Sequence, residues 1–200
     1  MPELEVKLNE TERGFGLRQI HAGHAVMVVI ARSLPHPIEE VWDALTDPGR
    51  LAVYLVEPEG DFRRGGEYRL PDNATGVIER CDPPRLLTVS WVPGHGQAGE
   101  LEIRLAAEDS TTRIELRYAS VRKRFVYADP GEEEWPAGPG WEFVLDRLAA
   151  YLEGSLTTPA QSLALTDIGG EDRELYEHRN RLWAEAKLEF DREHRSNPRR

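Results

Sequence analysis

The groups in this sequence that could carry chemistry are a few scattered carboxylates, one thiol and the histidines His21, His24 and His95. Asp43, Glu57, Glu67 and Glu79 are acid–base candidates, because a carboxyl drawn into apolar surroundings has its pKa raised toward the range where it can trade protons. Glu79 is the sharpest of the four. It lies in ATGVIERCD (Ala74–Asp82), which reads as a strand ended by Pro83 and Pro84. Side chains two apart on a strand share a face, so if Val77 and Cys81 point inward, Glu79 does too. The opposite register is equally readable. Cys81 is the one cysteine, and with no basic neighbour to lower its pKa it reads as a quiet structural thiol. His21 and His24 stand three apart, ligand spacing on a helix, yet no third ligand is placed by the sequence. His95, between Gly94 and Gly96, reads as an exposed loop residue. No metal and no cofactor is expected, and no catalytic set is assigned.

Aromatic residues are the other conspicuous group. Trp42, Tyr54, Tyr68, Trp91, Tyr118 and Trp141 fall on the faces of the predicted elements that turn inward, with Leu145 beside them. Tyr and Trp combine an apolar face with one polar handle, which suits an aromatic or lipid-like ligand in a pocket. The competing reading is that they simply fill the core, and both readings stand at this point.

The elements that would position these residues follow from periodicity. Residues 1–20 are polar and interrupted by Gly14 and Gly16, and read as an irregular arm. AVMVVIARSL (Ala25–Leu34) is β-branched and free of Gly and Pro, the first strand. Pro37 then opens a helix whose acidic first turn, Glu39 and Glu40, suits the helix dipole, with Val41, Trp42, Ala44 and Leu45 as its apolar face. Asp47 followed by Pro48 caps a second, short helix to about Leu55. From Gly60 the period becomes two. GDFRRGGEYRL holds two short strands about a Gly65-Gly66 turn, and Asp72-Asn73 turns again into Ala74–Asp82. Leu86–Val92 places Leu87, Val89 and Trp91 on one face. ELEIRLAAE puts Leu101, Ile103 and Leu105 inward, and TTRIELRYAS does the same with Ile114, Leu116 and Tyr118. Such alternation predicts an antiparallel sheet with one wet face. After a long irregular connection, residues 121–140, GWEFVLDRLAAYLEG (Gly140–Gly154) carries the stripe Trp141, Val144, Leu145, Leu148 and Leu152 and ends at a natural glycine stop. Strands cluster between helices, so the class is α+β, a seven-strand meander whose apolar face only the long helix can cover.

The remaining priors are compositional. Two hundred residues suit one domain with an appendage. A single cysteine excludes an intrachain disulfide and fits a reducing, cytoplasmic location. A net charge of −11 argues against nucleic acid as a partner. The longest apolar run, Ala25 to Ala31, is far short of a membrane span, so no membrane partner is expected, and MPELEVKLNE lacks a basic-then-apolar leader pattern. Beyond breaks at Thr157–Pro159 and Asp167–Gly170, residues 171–195 read as a charged helix on which Tyr176, Trp183 and Phe190 recur every seven residues. Packing back on the domain is one use for these aromatics. A protein partner or homodimer contact is the other, and the favoured one, since large exposed aromatics need a cover. Asn197–Arg200 is expected to be disordered.

The order of these elements, with the passages Ala31–Leu55, Gly60–Leu70, Gly76–Trp91 and Gly140–Gly154, resembles the START-like superfamily (SRPBCC, helix-grip fold). More narrowly it resembles the homologues of the activator of heat-shock-protein-90 ATPase. The resemblance spans about residues 25–154. It implies a helix-grip domain over 21–154 flanked by the arm 1–20 and the extension 155–200, with a curved antiparallel sheet wrapped around the long helix and a cavity between them in many relatives. It also implies wide functional spread, including lipid carriers, hormone receptors, aromatic polyketide cyclases and chaperone regulators, with no universal catalytic set. The expected function is therefore a non-enzymatic module that holds a small apolar or aromatic ligand through Trp42, Tyr54, Tyr68, Glu79, Trp91, Tyr118, Trp141 and Leu145, or that regulates a protein partner. The alternative is a cyclase-like enzyme with Glu79 as its acid or base.

Overall fold

The computed structural model describes residues 8, 10–94, 98–121, 137–156 and 171–195. His95, Arg122–Arg124, Glu132–Glu134, Thr157–Gly170 and Asn197–Arg200 lie outside the described residues.

Eight strands make one antiparallel sheet: β1 (Glu12–Ile20), β2 (Gly23–Leu34), β3 (Glu59–Gly60), β4 (Glu67–Leu70), β5 (Ala74–Asp82), β6 (Leu86–Pro93), β7 (Gly99–Glu108) and β8 (Thr111–Ser120). Their spatial order is β1-β2-β8-β7-β6-β5-β4-β3. Strands β3 to β8 form a meander, and β2 closes on its last strand with Val28 opposite Tyr118 and Ile30 opposite Leu116. The helices α1 (Ile38–Thr46) and α2 (Pro48–Tyr54) are inserted after β2, and α3 (Ala137–Leu152) and α4 (Glu171–Arg195) follow the sheet.

The α1–α2 kink has the anticipated chemistry. Pro37 is the N-cap of α1, and the Asp47 carboxylate accepts the backbone N–H of Arg50 at 2.9 Å with Pro48 in the first turn of α2. The anticipated inner rows of β7 and β8 are buried. The outer face of the same strands is a charged ladder, in which Arg18 meets Glu100 at 2.6 Å and Arg104 meets Glu102 at 2.7 Å. α3 lies across the inner face. Its Trp141 ring sits 4.8 Å from Trp91 and 5.7 Å from Tyr118.

Four expectations change. The arm is not irregular: residues 12–20 pair with β2 in full register, Glu12 opposite Ala31 through Ile20 opposite Gly23. Gly14 and Gly16 stand opposite Val29 and Met27 on the outer face, while Arg13, Phe15 and Leu17 alternate on the inner one. The glycines therefore cost the strand its pattern and not its pairing. His21 sits in the β1–β2 turn and His24 is the second residue of β2, so the helical spacing of a ligand pair does not arise. Among the described residues no cluster of three metal-ligating side chains occurs. The strand around Gly60 shrinks to Glu59–Gly60, and residues 61–66 form a loop in place of a tight hairpin.

The fourth change concerns the tail. α4 folds back on its own domain, so the favoured partner contact does not describe Trp183 and Phe190. Trp183 is 4 % and Phe190 9 % exposed. Phe15 of β1 meets the Trp183 ring edge-on at 5.4 Å and Phe190 at 5.9 Å. Tyr176 is half-buried. β1 is an edge strand, and a helix laid over an edge is one of the ways a protein covers it.

Candidate functional site

Between the sheet, the α1–α2 pair and α3 lies a cavity of about 120 Å³. Its floor is the inner row of β5 to β7, including Ile78, Val89, Trp91 and Ile103, and its roof is Trp141, Val144, Leu145 and Leu148 of α3. Tyr54 and Leu51 close it from α2. Phe62 also lines it and is itself 37 % exposed. The roof residues recur at three and four positions, so one face of a single helix supplies them all. Arg147 fixes that helix against α2 by donating from Nε to the Tyr54 carbonyl at 2.7 Å.

Two glycines make room for the aromatic wall. A Cβ on Gly76 would stand 1.9 Å from the Ser90 carbonyl oxygen and 2.8 Å from the Tyr68 ring. The bare backbone lets Tyr68 lie across β5 and donate its hydroxyl to that same carbonyl at 2.8 Å. At Gly99 a Cβ would come within 3.1 Å of the Tyr118 ring.

Of the eight candidate residues, Tyr54, Tyr68, Trp91, Trp141 and Leu145 line the cavity. Trp42 and Tyr118 are buried beside it, Trp42 in the core under α1 and Tyr118 behind Trp141. Glu79 is exposed. Its neighbour Ile78 takes the inward position, the second of the two readable registers, and a bulge follows directly. Ile78 pairs with Val89 and Arg80 with Thr88, so one extra residue is inserted on β5 at this point. The bulge lets Cys81 reach the cavity as well as Ile78, with Glu79 on the solvent side between them. Leu51, Phe62 and Val144 were not singled out beforehand as site residues. Val144 belonged to the apolar stripe of α3; Phe62 carried no periodic signal at all.

The hydroxyls of the wall are already engaged. Tyr54 donates to the Ala44 carbonyl at 2.9 Å and Thr46 to the Trp42 carbonyl at 2.8 Å. Burial pushes the Tyr54 phenol well above its ordinary value, with Tyr151 adding to the effect, and burial does the same to Tyr68. Burial also pushes the Cys81 thiol up, assisted by the charge of Asp82. No Asp, Glu, Lys, Arg or His is among the described residues that line the cavity. Such a wall rewards apolar contact and offers no charge and no poised proton.

A sheet folded over one long helix with an apolar hollow between them defines a helix-grip protein. Residues 35–153 match the family described as activator of Hsp90 ATPase homolog 1-like protein, and the chain belongs to that family. The crystal structure of CalU16 from Micromonospora echinospora is 36 % identical, with 88 % of this chain and 97 % of CalU16 covered at a TM-score of 0.74. DynU16, a protein in the dynemicin biosynthetic locus, shares the fold at 24 % identity and a TM-score of 0.57, covering 67 % of this chain and 49 % of its own. PFC0360w, an HSP90 activator from Plasmodium falciparum, shares it at 16 % identity and a TM-score of 0.53, covering 64 % of this chain and 96 % of its own. No curated protein matches the sequence. No helix among the described residues is long and apolar enough to cross a membrane.

Proposed function

We propose that this protein is a binding module that holds a small, uncharged apolar or aromatic molecule between the sheet and α3. One observation carries the reading: the cavity wall is predominantly aromatic and aliphatic, and the Tyr54, Tyr68 and Thr46 hydroxyls are committed to backbone carbonyls. At about 120 Å³ the space is below the range of drug-sized pockets. It is near the size of an apolar cavity known to stay dry and take up benzene. A single-ring ligand, or one ring of a larger molecule, fits that space.

The cyclase-like alternative needed a carboxylate at the cavity, and Glu79 faces solvent on its bulge. The partner-regulating alternative draws on the family description. Native mass spectrometry of freshly purified protein, with thermal shifts against benzene, toluene and indole, tests the binding reading. A bound apolar adduct or a saturable rise in the midpoint supports it. Absence of both, or an equal response to polar controls such as imidazole, overturns it.

A further inference from the structure

We propose a second site, for a small oxyanion such as a carboxylate, at the guanidinium of Arg32 between β2, α3 and α4. It lies roughly a third of a turn around α3 from the face that roofs the cavity.

Three arginines and two carboxylates meet there. Glu142 is 1 % exposed and takes both Nε of Arg13 at 3.0 Å and its Nη2 at 2.5 Å. Glu142 also meets Arg179 Nε at 3.2 Å and accepts Trp183 Nε1 at 2.9 Å. Asp146 accepts Arg32 Nη1 at 2.7 Å and is ion-paired with Arg179. The side chains of Arg13, Arg32 and Arg179 are only 9 %, 7 % and 5 % exposed. In the ion pairs among the described residues, three cations thus face two anions in a nearly closed space, one negative charge short. Burying an uncompensated charge is expensive.

The shortfall has an address. Nε and Nη2 of Arg32 are buried without a hydrogen-bond partner among the described residues. These two nitrogens form one edge of the guanidinium, with parallel N–H bonds spaced to meet both oxygens of a carboxylate or two of a phosphate. In the same cluster Arg13 uses that very edge to grip Glu142. Arg32 presents the same fork with none of the described side chains in it. Asp146 is 25 % exposed, which leaves the cluster open to solvent on that side.

The test uses the full-length protein in acetate, phosphate and chloride at matched ionic strength. Acetate or phosphate should raise the unfolding midpoint above the chloride value in a saturable way, and should shift the Arg32 Nε–Hε resonance of the wild type. Arg32→Lys keeps the charge beside Asp146 and removes the fork, so the apparent affinity for acetate should fall about tenfold or more. The proposal is overturned if the three anions act alike on the wild type and the Nε–Hε resonance does not move, as a bridging water would give. It is also overturned if a folded Arg32→Lys responds as the wild type does. Should Arg32→Lys fail to fold, the wild-type resonance alone decides.

Discussion

The indole Nε1 of Trp183 donates to Glu142 Oε2 at 2.9 Å, joining the tail helix to the helix that roofs the cavity. The two residues are far apart in the chain, and the partners of Glu142 come from β1 and α4. The tail is therefore part of the domain's packing and not an appendage. Trp183→Phe keeps the ring and removes the donor, and should cost about 1 kcal/mol, since Glu142 retains its arginines. Trp183→Ala should cost about 3–5 kcal/mol. Urea unfolding of the two variants measures the difference.

Gly138 is the other side of that contact. A Cβ there would stand 2.5 Å from the Trp183 ring. Gly138→Ala should destabilise by about 1–3 kcal/mol as an overpacked contact. Much of that penalty should vanish in the Trp183→Ala background, because the clash is with the ring itself. A double-mutant cycle reads the coupling.

Two acids on the outer face of β7 should respond to pH with opposite sign. Burial raises the Glu100 carboxyl, with Arg18 working against it and Glu79 and Glu102 with it. A raised folded value means stability that is full at low pH and declines as pH rises through it. Glu102 is pushed up by burial too, but the hydrogen bond from Arg104 and the charge of Arg18 outweigh this and leave it below 4.5. A lowered folded value means stability present above 4.5 and lost as pH falls. At neutral pH Glu100→Gln should be neutral to stabilising, and Glu102→Gln destabilising. Denaturant midpoints from acid to neutral pH separate them, and equal effects would contradict the assignment.

Cys81 lines the cavity with its thiol pushed up by burial. Iodoacetamide should modify it more slowly than a free thiol at neutral pH. A cavity-filling aromatic should slow it further, read by intact mass over time. Modification at the rate of a free thiol, unaffected by toluene, would remove Cys81 from the wall.

Much of this architecture was legible because burial imposes periodicity. Leu101, Ile103 and Leu105 announced their strand, as Leu145 and Leu148 announced the helix above it. β1 was hidden because Gly14 and Gly16 face outward, where no side chain is needed, and so erased the alternation that Arg13, Phe15 and Leu17 keep on the other face. For Glu79 the alternation left two registers open, and the one with Ile78 inward is adopted; that Cys81 also turns inward was hidden, because a bulge is one inserted residue and alternation carries no mark of where pairing slips. The seven-residue spacing of Trp183 and Phe190 showed that they share a face, but not that Phe15 covers it. The cluster about Glu142 left no local trace. Arginines are read as surface residues one at a time, and only the fold brings Arg13, Arg32 and Arg179 together.

The central claim is an apolar receptacle between the sheet and α3, and methyl NMR titrated with toluene tests it most directly. Saturable shifts concentrated on Val89, Ile103 and Leu145 are predicted, with smaller effects elsewhere. No saturable shift, or shifts confined to the exposed Leu17 and Leu188, would contradict it.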